Sequence, residues 1–369
     1  MNDLHEIYMA RCLQLAQLGE GHVAPNPMVG AVLVYNDTII GEGYHRRYGE
    51  PHAEVNCLNS VSLQHLDLIR HSTLYVSLEP CAHFGKTPPC ADLIVKMSIP
   101  KVVIGCRDPF VQVDGKGIEK LRAAGVEVIT GVLERECKAL NKRFFTFHIY
   151  KRPYIILKWA QTSDGKIAYN GLKEKNNLSA SRLFITNVFT NRIVHKWRSE
   201  EMAIVVGTNT ALQDNPSLST RLWPGKDPVR LVVDNDLALP VGLKLFDSTI
   251  ATIVINKRKH SIQDLKAARH SPGVHYYKVE ENTSLVQQII SALYSMDIQS
   301  LIVEGGSVLL QSFIEEDLWD EARVITNEEM ILGEGLLGPV LRNEELVHSE
   351  QLSTDFIRTY HHIEMNEPL

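Results

Sequence analysis

Apolar and polar positions along the 369-residue chain follow two periods, and each period marks a kind of element. Between residues 3 and 18, Leu4, Ile7, Tyr8, Cys12, Leu15 and Ala16 recur every three or four positions behind Asp3. That spacing draws one apolar stripe along a helix. Residues 29–35 and 38–44 are instead short strand-like runs, and the Asn36-Asp37 pair between them suits the tight turn of a hairpin. After Pro51 a helical segment carries His52 and Glu54 in its first turn, where free backbone N–H groups favour anionic groups. Residues 72–78 read as a strand with Cys81 just past its end, and Cys90 opens a helix over 91–97. Strand 101–105, helix 117–124, strand 126–129 and helix 134–144 continue the alternation, which predicts a three-layer α/β domain.

An aromatic and basic run over residues 145–153 reads as a linker, and a new pattern starts at Pro153. Residues 154–160 are a buried-type strand, Asp164-Gly165 turns the chain into 166–168, and 170–181 is a polar loop. Strands at 202–206, 230–234, 251–255 and 301–303 are separated by helices at 186–197, 284–294 and 308–316. Strands spaced by helices imply a covered, mainly parallel sheet. The expected organisation is therefore two domains, 1–146 and 153–369, in keeping with a chain too long for one ordinary core. Residues beyond 338 carry no clear pattern.

Composition narrows the class. A hydrophobic content of 44% with 22% charged residues is that of a globular protein in water. A net charge of −6 argues against the basic footprint of a nucleic-acid binder. No run approaches the ~20 apolar residues of a membrane helix, and the first residues lack the basic flank and apolar core of a leader. The six cysteines, at 12, 57, 81, 90, 106 and 137, are sparse and confined to the first half. They suit a reducing compartment with a metal site rather than a disulfide framework, so a cytoplasmic protein is expected.

The chemistry concentrates in His52-Ala53-Glu54, Glu79-Pro80-Cys81 and Cys90. One imidazole and two thiolates make a three-ligand zinc site, and a fourth position left to water makes such a site catalytic. Zinc lowers the pKa of that water towards ~7, and Glu54 is placed to carry its proton. His-x-Glu, Pro-Cys and a further Cys form the arrangement of zinc nucleobase deaminases, although eight residues rather than two separate these cysteines. A structural Cys/His zinc knob, with His83 as fourth ligand, is the other reading; it leaves Glu54 without a role. In the second half, Glu304-Gly305-Gly306-Ser307 joins a strand to a helix, either as a plain tight turn or as a phosphate seat at a helix start. It is not the Gly-x-Gly-x-x-Gly fingerprint.

Asn26-Pro27-Met28-Val29-Gly30, Gly43-Tyr44-His45, His52-Ala53-Glu54 and Pro80-Cys81 through Thr87-Pro88-Pro89-Cys90 resemble the deaminase half of the bacterial bifunctional riboflavin-biosynthesis deaminase/reductases, the RibD family. The long insert between the cysteines is that family's own variant. Lys158-Trp159-Ala160 with Asp164-Gly165, Gly207-Thr208-Asn209-Thr210, Asp214-Asn215-Pro216-Ser217-Leu218, Arg221 and Glu304-Gly305-Gly306 resemble its reductase half. The resemblance implies a cytidine-deaminase-like domain followed by a dihydrofolate-reductase-like domain, with Zn2+ and NADPH as cofactors. Zinc would lie on His52, Cys81 and Cys90, with Glu54 as general acid/base. Asn26, His45, Lys86 and Asp108 would contact the deaminase substrate. Ala160, Phe184, Thr210, Asp214, Asn235, Gly306, Ser307, Val308, Leu309, Leu310, Gln311 and Ser312 would hold NADPH. Lys158, Arg198, Leu218, Arg221 and Glu304 would hold the reductase substrate, the two arginines as phosphate clamps.

The sequence departs from the family's usual residues at Phe110, Arg182, Phe184 and Asn235. The implied function is zinc-dependent deamination of 2,5-diamino-6-(5-phosphoribosylamino)pyrimidin-4(3H)-one, then NADPH-dependent reduction of the ribosyl group to ribityl. The implied partners are small phosphoribosylaminopyrimidines, with no nucleic acid and no membrane, in a homo-oligomer. The competing readings are a nucleic-acid or free-base deaminase with an accessory nucleotide-binding domain, and a metal- and nucleotide-binding protein without activity.

Overall fold

A computed structural model describes residues 2–84, 88–169 and 183–363. The chain divides into two compact units, residues 1–151 and 152–367.

In the first unit a five-stranded sheet has the order β2-β1-β3-β4-β5, from strands β1 (Gly30–Tyr35), β2 (Thr38–Tyr44), β3 (Thr73–Leu78), β4 (Lys101–Cys106) and β5 (Glu127–Thr130). β1 runs antiparallel to β2 and β3, whereas β3, β4 and β5 are parallel. Asn36 and Asp37 both have φ in the left-handed region (44° and 58°), as the hairpin's two-residue turn requires. Period-two alternation sorts the core into two layers. Leu33, Leu74, Val76, Val102 and Ile104 face one way, onto helices α2 (Ala53–Asn59), α3 (Cys90–Lys96) and α4 (Lys116–Ala123). Val32, Val34, Tyr75 and Val103 face the other way, onto α1 (Asn2–Gln17), α5 (Glu134–Leu140) and α6 (Lys142–Tyr150). The unit is thus a three-layer α/β domain.

Three local expectations change. The stripe on α1 buries Tyr8, Met9, Cys12, Leu15 and Ala16, while Leu4 and Ile7 are exposed at its first turns. The stretch read as a linker is helical to Tyr150, because Phe144, Phe145 and Phe147 are buried there. The expected single helix over 134–144 breaks at Asn141, whose Oδ1 accepts from the Met28 N–H (2.7 Å) and whose Nδ2 donates to the Met28 carbonyl (2.8 Å).

The second unit carries a nine-stranded sheet in the order β11-β10-β9-β8-β12-β6-β13-β16-β15. Its strands are β6 (Tyr154–Thr162), β8 (Ala203–Val206), β9 (Val229–Val233), β10 (Ala251–Asn256), β11 (Gly273–Lys278), β12 (Ser300–Glu304), β13 (Glu321–Asn327), β15 (Glu344–Leu352) and β16 (Asp355–His362). The seven from β11 to β13 are parallel, and the hairpin β15–β16 closes that edge antiparallel. A small antiparallel pair, β7 (Lys166–Ala168) and β14 (Leu336–Leu337), stands apart from it. Ile155, Leu157, Val205, Leu231 and Val303 pack with α10 (Leu285–Ser295) and α11 (Ser307–Glu315), and a short α9 (Leu265–Ala268) adds to that layer. Ile156, Ile204, Val232 and Ile302 face the opposite layer, which includes Ala211 of α8 (Thr208–Asp214). Helix α7 (Val188–Glu200) buries Val194 against Ile325 and Ile357. Its first turn is capped by Asn187, whose Oδ1 accepts from the Phe189 and Thr190 N–H groups.

Candidate active sites

The first site grows from the meeting of α2 with the ends of β2 and β3. Gly43 allows it: a Cβ at that position would lie 2.2 Å from the Cys57 nitrogen, so only glycine lets α2 approach β2 so closely. His52 is then the N-cap of α2, and Glu54, in the first turn, is 3% exposed. Cys81 follows β3, and Cys90 starts α3, whose first N–H donates to the Cys81 sulfur (3.3 Å). His52 Nδ1 lies 3.6 Å from Cys81 Sγ and 3.4 Å from Cys90 Sγ, and the three donor atoms lie within 4.8 Å of one another. Zinc bonds of ~2.3 Å to sulfur and ~2.1 Å to nitrogen in a tetrahedron place N and S about 3.6 Å apart, so this donor set fits the ion. His83 is not part of this set among the described residues.

The electrostatics agree with that use. The Cys81 thiol is drawn down to about 4 by the Cys90 hydrogen bond and, against burial, by His52; the His52 imidazole is raised to about 9 by the Cys81 hydrogen bond. The Cys90 thiol is pushed well up by Cys81 and then by burial, so zinc bound here would displace the protons that His52 and Cys90 otherwise hold. Burial raises the Glu54 carboxyl, so it can hold a proton as well as release one.

Asn26 and His45 come together beside this centre. His45 Nδ1 faces the Pro51 carbonyl (3.1 Å), which can only accept, so that nitrogen carries the proton and Nε2 accepts from Asn26 Nδ2 (3.1 Å). The His45 and His52 rings meet edge-on at 5.5 Å. Burial lowers the His45 pKa and keeps this neutral form. Asp108 is 6% exposed, and burial pushes its carboxyl up to about 7. Phe110 donates its N–H to Asp108 Oδ1 (2.8 Å), and its ring packs against His83 and His148. Lys86 lies outside the described residues, as do Arg182 and the loop 170–181.

The second site lies along the carboxyl ends of parallel strands, where open α/β sheets hold their ligands. Register places Lys158 of β6 beside Glu304 of β12. Glu304 takes a two-pronged bond from Arg198, 2.7 Å from Nε and 2.7 Å from Nη2, with Lys158 Nζ at 3.7 Å. Burial would raise the Glu304 carboxyl, but Arg198 and Lys158 hold it down to about 2. The fork of Arg198 is therefore spent on Glu304, and Arg198 Nη1 donates to the Ser219 carbonyl (3.3 Å). Arg221 is exposed and donates through Nη1 to Ser217 Oγ (3.0 Å), which makes it the more accessible of the two arginines. Leu218 is 2% exposed with φ 50°.

Gly305 and Gly306 have φ of 75° and 78°, a region that disfavours side chains, and a Cβ on Gly306 would lie 3.0 Å from Thr210 Oγ1. The turn before α11 thus packs against Thr210. Leu309 and Leu310 turn their side chains into the core, so only their backbones can serve a ligand; Ser307 and exposed Val308 stand at the helix start. Gln311 accepts from the Val340 N–H, and Ser312 donates to the Leu309 carbonyl. Asn235, just past β9, has a buried Oδ1 with no hydrogen-bond partner among the described residues, as a ligand-facing acceptor would. Asp214 ends α8, Ala160 lies on β6, and Phe184 is 71% exposed.

Sequence reasoning missed two residues of these sites. Asn141 anchors the Asn26–Met28 turn, and its signal was an amide in the middle of a helical pattern. His195, on α7, is 1% exposed and held down to about 4 by burial and then by the charges of Arg198 and Arg221; nothing in the sequence set it apart.

A deaminase centre of the zinc type and a reductase-type α/β unit on one chain define a bifunctional enzyme. The profile of the cytidine and deoxycytidylate deaminase zinc-binding region matches residues 2–106, and that of the RibD C-terminal domain matches residues 153–358. The chain is 40% identical over 338 residues to the riboflavin biosynthesis protein RibD of Aquifex aeolicus, covering 91% of this chain and 90% of the relative. It is 37% identical to that of Actinobacillus pleuropneumoniae, over 92% and 87%. A solved diaminohydroxyphosphoribosylaminopyrimidine deaminase/5-amino-6-(5-phosphoribosylamino)uracil reductase from Thermotoga maritima matches with a TM-score of 0.82 at 36% identity, over 98% of this chain and 99% of that one. Acinetobacter baumannii RibD matches at 0.83 and 28%, with the same coverage. The chain belongs to the RibD family of riboflavin biosynthesis proteins. It is a bifunctional deaminase and reductase whose cofactors are Zn2+ and NADPH. Among the described residues no helix is long and apolar enough to cross a membrane.

Proposed function

We propose that the first unit deaminates 2,5-diamino-6-(5-phosphoribosylamino)pyrimidin-4(3H)-one and that the second reduces the ribosyl group of the deaminated product to ribityl. The observation that carries the reading is the convergence of His52, Cys81 and Cys90 within 4.8 Å of one another, with Glu54 buried beside them. Zinc bound there supplies an activated water. Glu54 would take one proton of that water and pass it to the ring nitrogen, then carry the second, hydroxyl proton to the C2 amine, so that the ring keeps an N–H and a carbonyl and ammonia departs. Asn26, His45, Lys86 and Asp108 orient the pyrimidine and its phosphoribosyl tail.

NADPH held in the second unit would supply a hydride to ribose C1, and with a proton reaching the ring oxygen the C1–O bond would break and the sugar open. The Gly305-Gly306 turn with the backbone of residues 306–312, Thr210, Asp214, Ala160, Phe184 and Asn235 hold NADPH. Arg221 receives the substrate phosphate, and Lys158, Arg198, Glu304 and Leu218 shape the rest of that site. Small molecules rather than nucleic acid are the proposed partners, in line with the net charge of −6. Six free cysteines support a reducing, cytoplasmic setting. Strand β15, exposed along nearly its whole length at the sheet edge, supports pairing with another copy in a homo-oligomer. The test is a coupled assay on the diaminopyrimidine phosphoriboside that follows ammonia release and NADPH oxidation separately. Both are expected; ammonia release without oxidation would remove the reductase assignment, and neither would remove both.

A further inference from the structure

Strand β3 passes into Glu79-Pro80-Cys81, and the first of these residues has a contact set of its own. Glu79 is 4% exposed, and four backbone N–H groups converge on its carboxylate. Oε2 accepts from Asp108 (3.3 Å) and Gly115 (3.0 Å), and Oε1 from Gly117 (2.9 Å) and Ile118 (3.2 Å). A buried carboxylate is stable only when its lone pairs are so used, and bonds to an ionised acceptor are the strong ones. The loop from β4 to α4 is also pressed onto the same turn: a Cβ on Gly117 would lie 2.0 Å from the Pro80 carbonyl oxygen. One side chain therefore ties the turn that presents Cys81 to the loop that presents Asp108.

We propose that Glu79 is a positioning residue of the deaminase site, holding the Cys81 sulfur and the Asp108 carboxylate in one frame. The proposal rests on the reading above, in which Cys81 is a zinc ligand and Asp108 touches the substrate. A carboxylate suits the task because both oxygens accept. The amide of glutamine would turn an NH2 group towards two N–H donors, breaking one side of the clasp. Aspartate keeps the chemistry but is one methylene shorter, so it can satisfy only part of the set.

The test uses the full chain in four forms: Glu79→Gln, Glu79→Asp, Asp108→Asn and the double variant Glu79→Gln/Asp108→Asn. The readouts are the rate at which bound zinc passes to a chromogenic chelator, and kcat and KM for ammonia release; reduction by the second unit serves as the reference for intact chain. For Glu79→Gln the expected result is a KM raised about tenfold or more, with kcat less affected, and faster loss of zinc. Glu79→Asp recovers part of both. The double variant has a KM within about twofold of Asp108→Asn alone, because residues acting through one another are not additive. Wild-type KM and zinc loss in Glu79→Gln, even with a lower melting temperature, would reduce Glu79 to a fold-stabilising residue and overturn the proposal; so would additive KM effects. Should Glu79→Gln fail to fold, Glu79→Asp decides by the same two readouts. An unchanged KM in Asp108→Asn would instead overturn the substrate role of Asp108, while the zinc rate still tests the Cys81 half.

Discussion

The two candidate sites are assembled in different ways. In the first unit three donor atoms from three elements already stand at the spacing of a zinc coordination shell, and Glu54 is buried next to them. In the second unit the strongest feature is an ion cluster that satisfies itself: Arg198 and Lys158 are committed to Glu304, and the surfaces around them are backbone turns, one exposed arginine and one exposed aromatic ring. The contrast follows from the ligands. A metal bond tolerates errors of ~0.2 Å, so its side chains must be held in advance. A dinucleotide is bound over a long surface by many weak contacts, most of them to the main chain.

Breaking the first site should give the largest effect. Cys81→Ser replaces a thiolate by a poorer donor, so metal content should fall from about one zinc per chain to a small fraction, and ammonia release should vanish. Full zinc occupancy by elemental analysis of that variant would sink the ligand assignment. Glu54→Gln keeps size and hydrogen bonding but removes the proton carrier; kcat for deamination should fall by ~10²-fold or more with zinc retained. Reduction of the deaminated intermediate should be nearly untouched, since that chemistry lies in the other unit.

In the second unit Arg198→Ala should act first on stability. It strands a buried carboxylate with Lys158 alone, and breaking a buried pair costs about 3 kcal/mol, lessened here by the remaining lysine. Urea unfolding that left the second unit's midpoint unchanged would contradict the ion cluster. The same cluster sets a pH dependence. Glu304 is held below its unfolded value, so its contribution is fully present above about pH 4.3 and is lost as pH falls towards about 2. Glu304→Gln should flatten that acid limb; an unaltered limb in acid titrations of unfolding would assign it to other carboxylates. Phe184→Trp should be the mildest change, since the side chain is 71% exposed and one aromatic face replaces another. A shift in KM for NADPH beyond about fivefold, roughly 1 kcal/mol, would mean that residue 184 does more than stack.

Local patterns in the sequence sufficed for the five strands of the first unit and for the cluster of His52, Cys81 and Cys90, whereas β11, β13, β15 and β16 of the second unit were not expected from it. Period two separates Leu33 from Val32 and Leu74 from Tyr75 onto opposite faces, and Asn36-Asp37 specifies its turn, because these signals depend only on neighbours within a few residues. The cluster of His52, Cys81 and Cys90 was legible for a related reason: zinc accepts few residue types, so a candidate donor set stands out wherever its members fall. What the fold alone decided depends on partners far apart in the chain. The fork of Arg198 could point to a phosphate or to a carboxylate, and it was the pairing of β12 with β6 that brought Glu304 and Lys158 together beside it. Asn141 needed Met28, 113 residues away, to become an anchor instead of a helix defect, and Glu79 needed the loop after β4. Strand β15 was silent because an edge strand with both faces exposed has no alternation to read, while β16, inside the sheet, buries Asp355, Ile357 and His362. Hydrogen-bond partners are set by where the chain folds back, and a linear pattern holds no record of that.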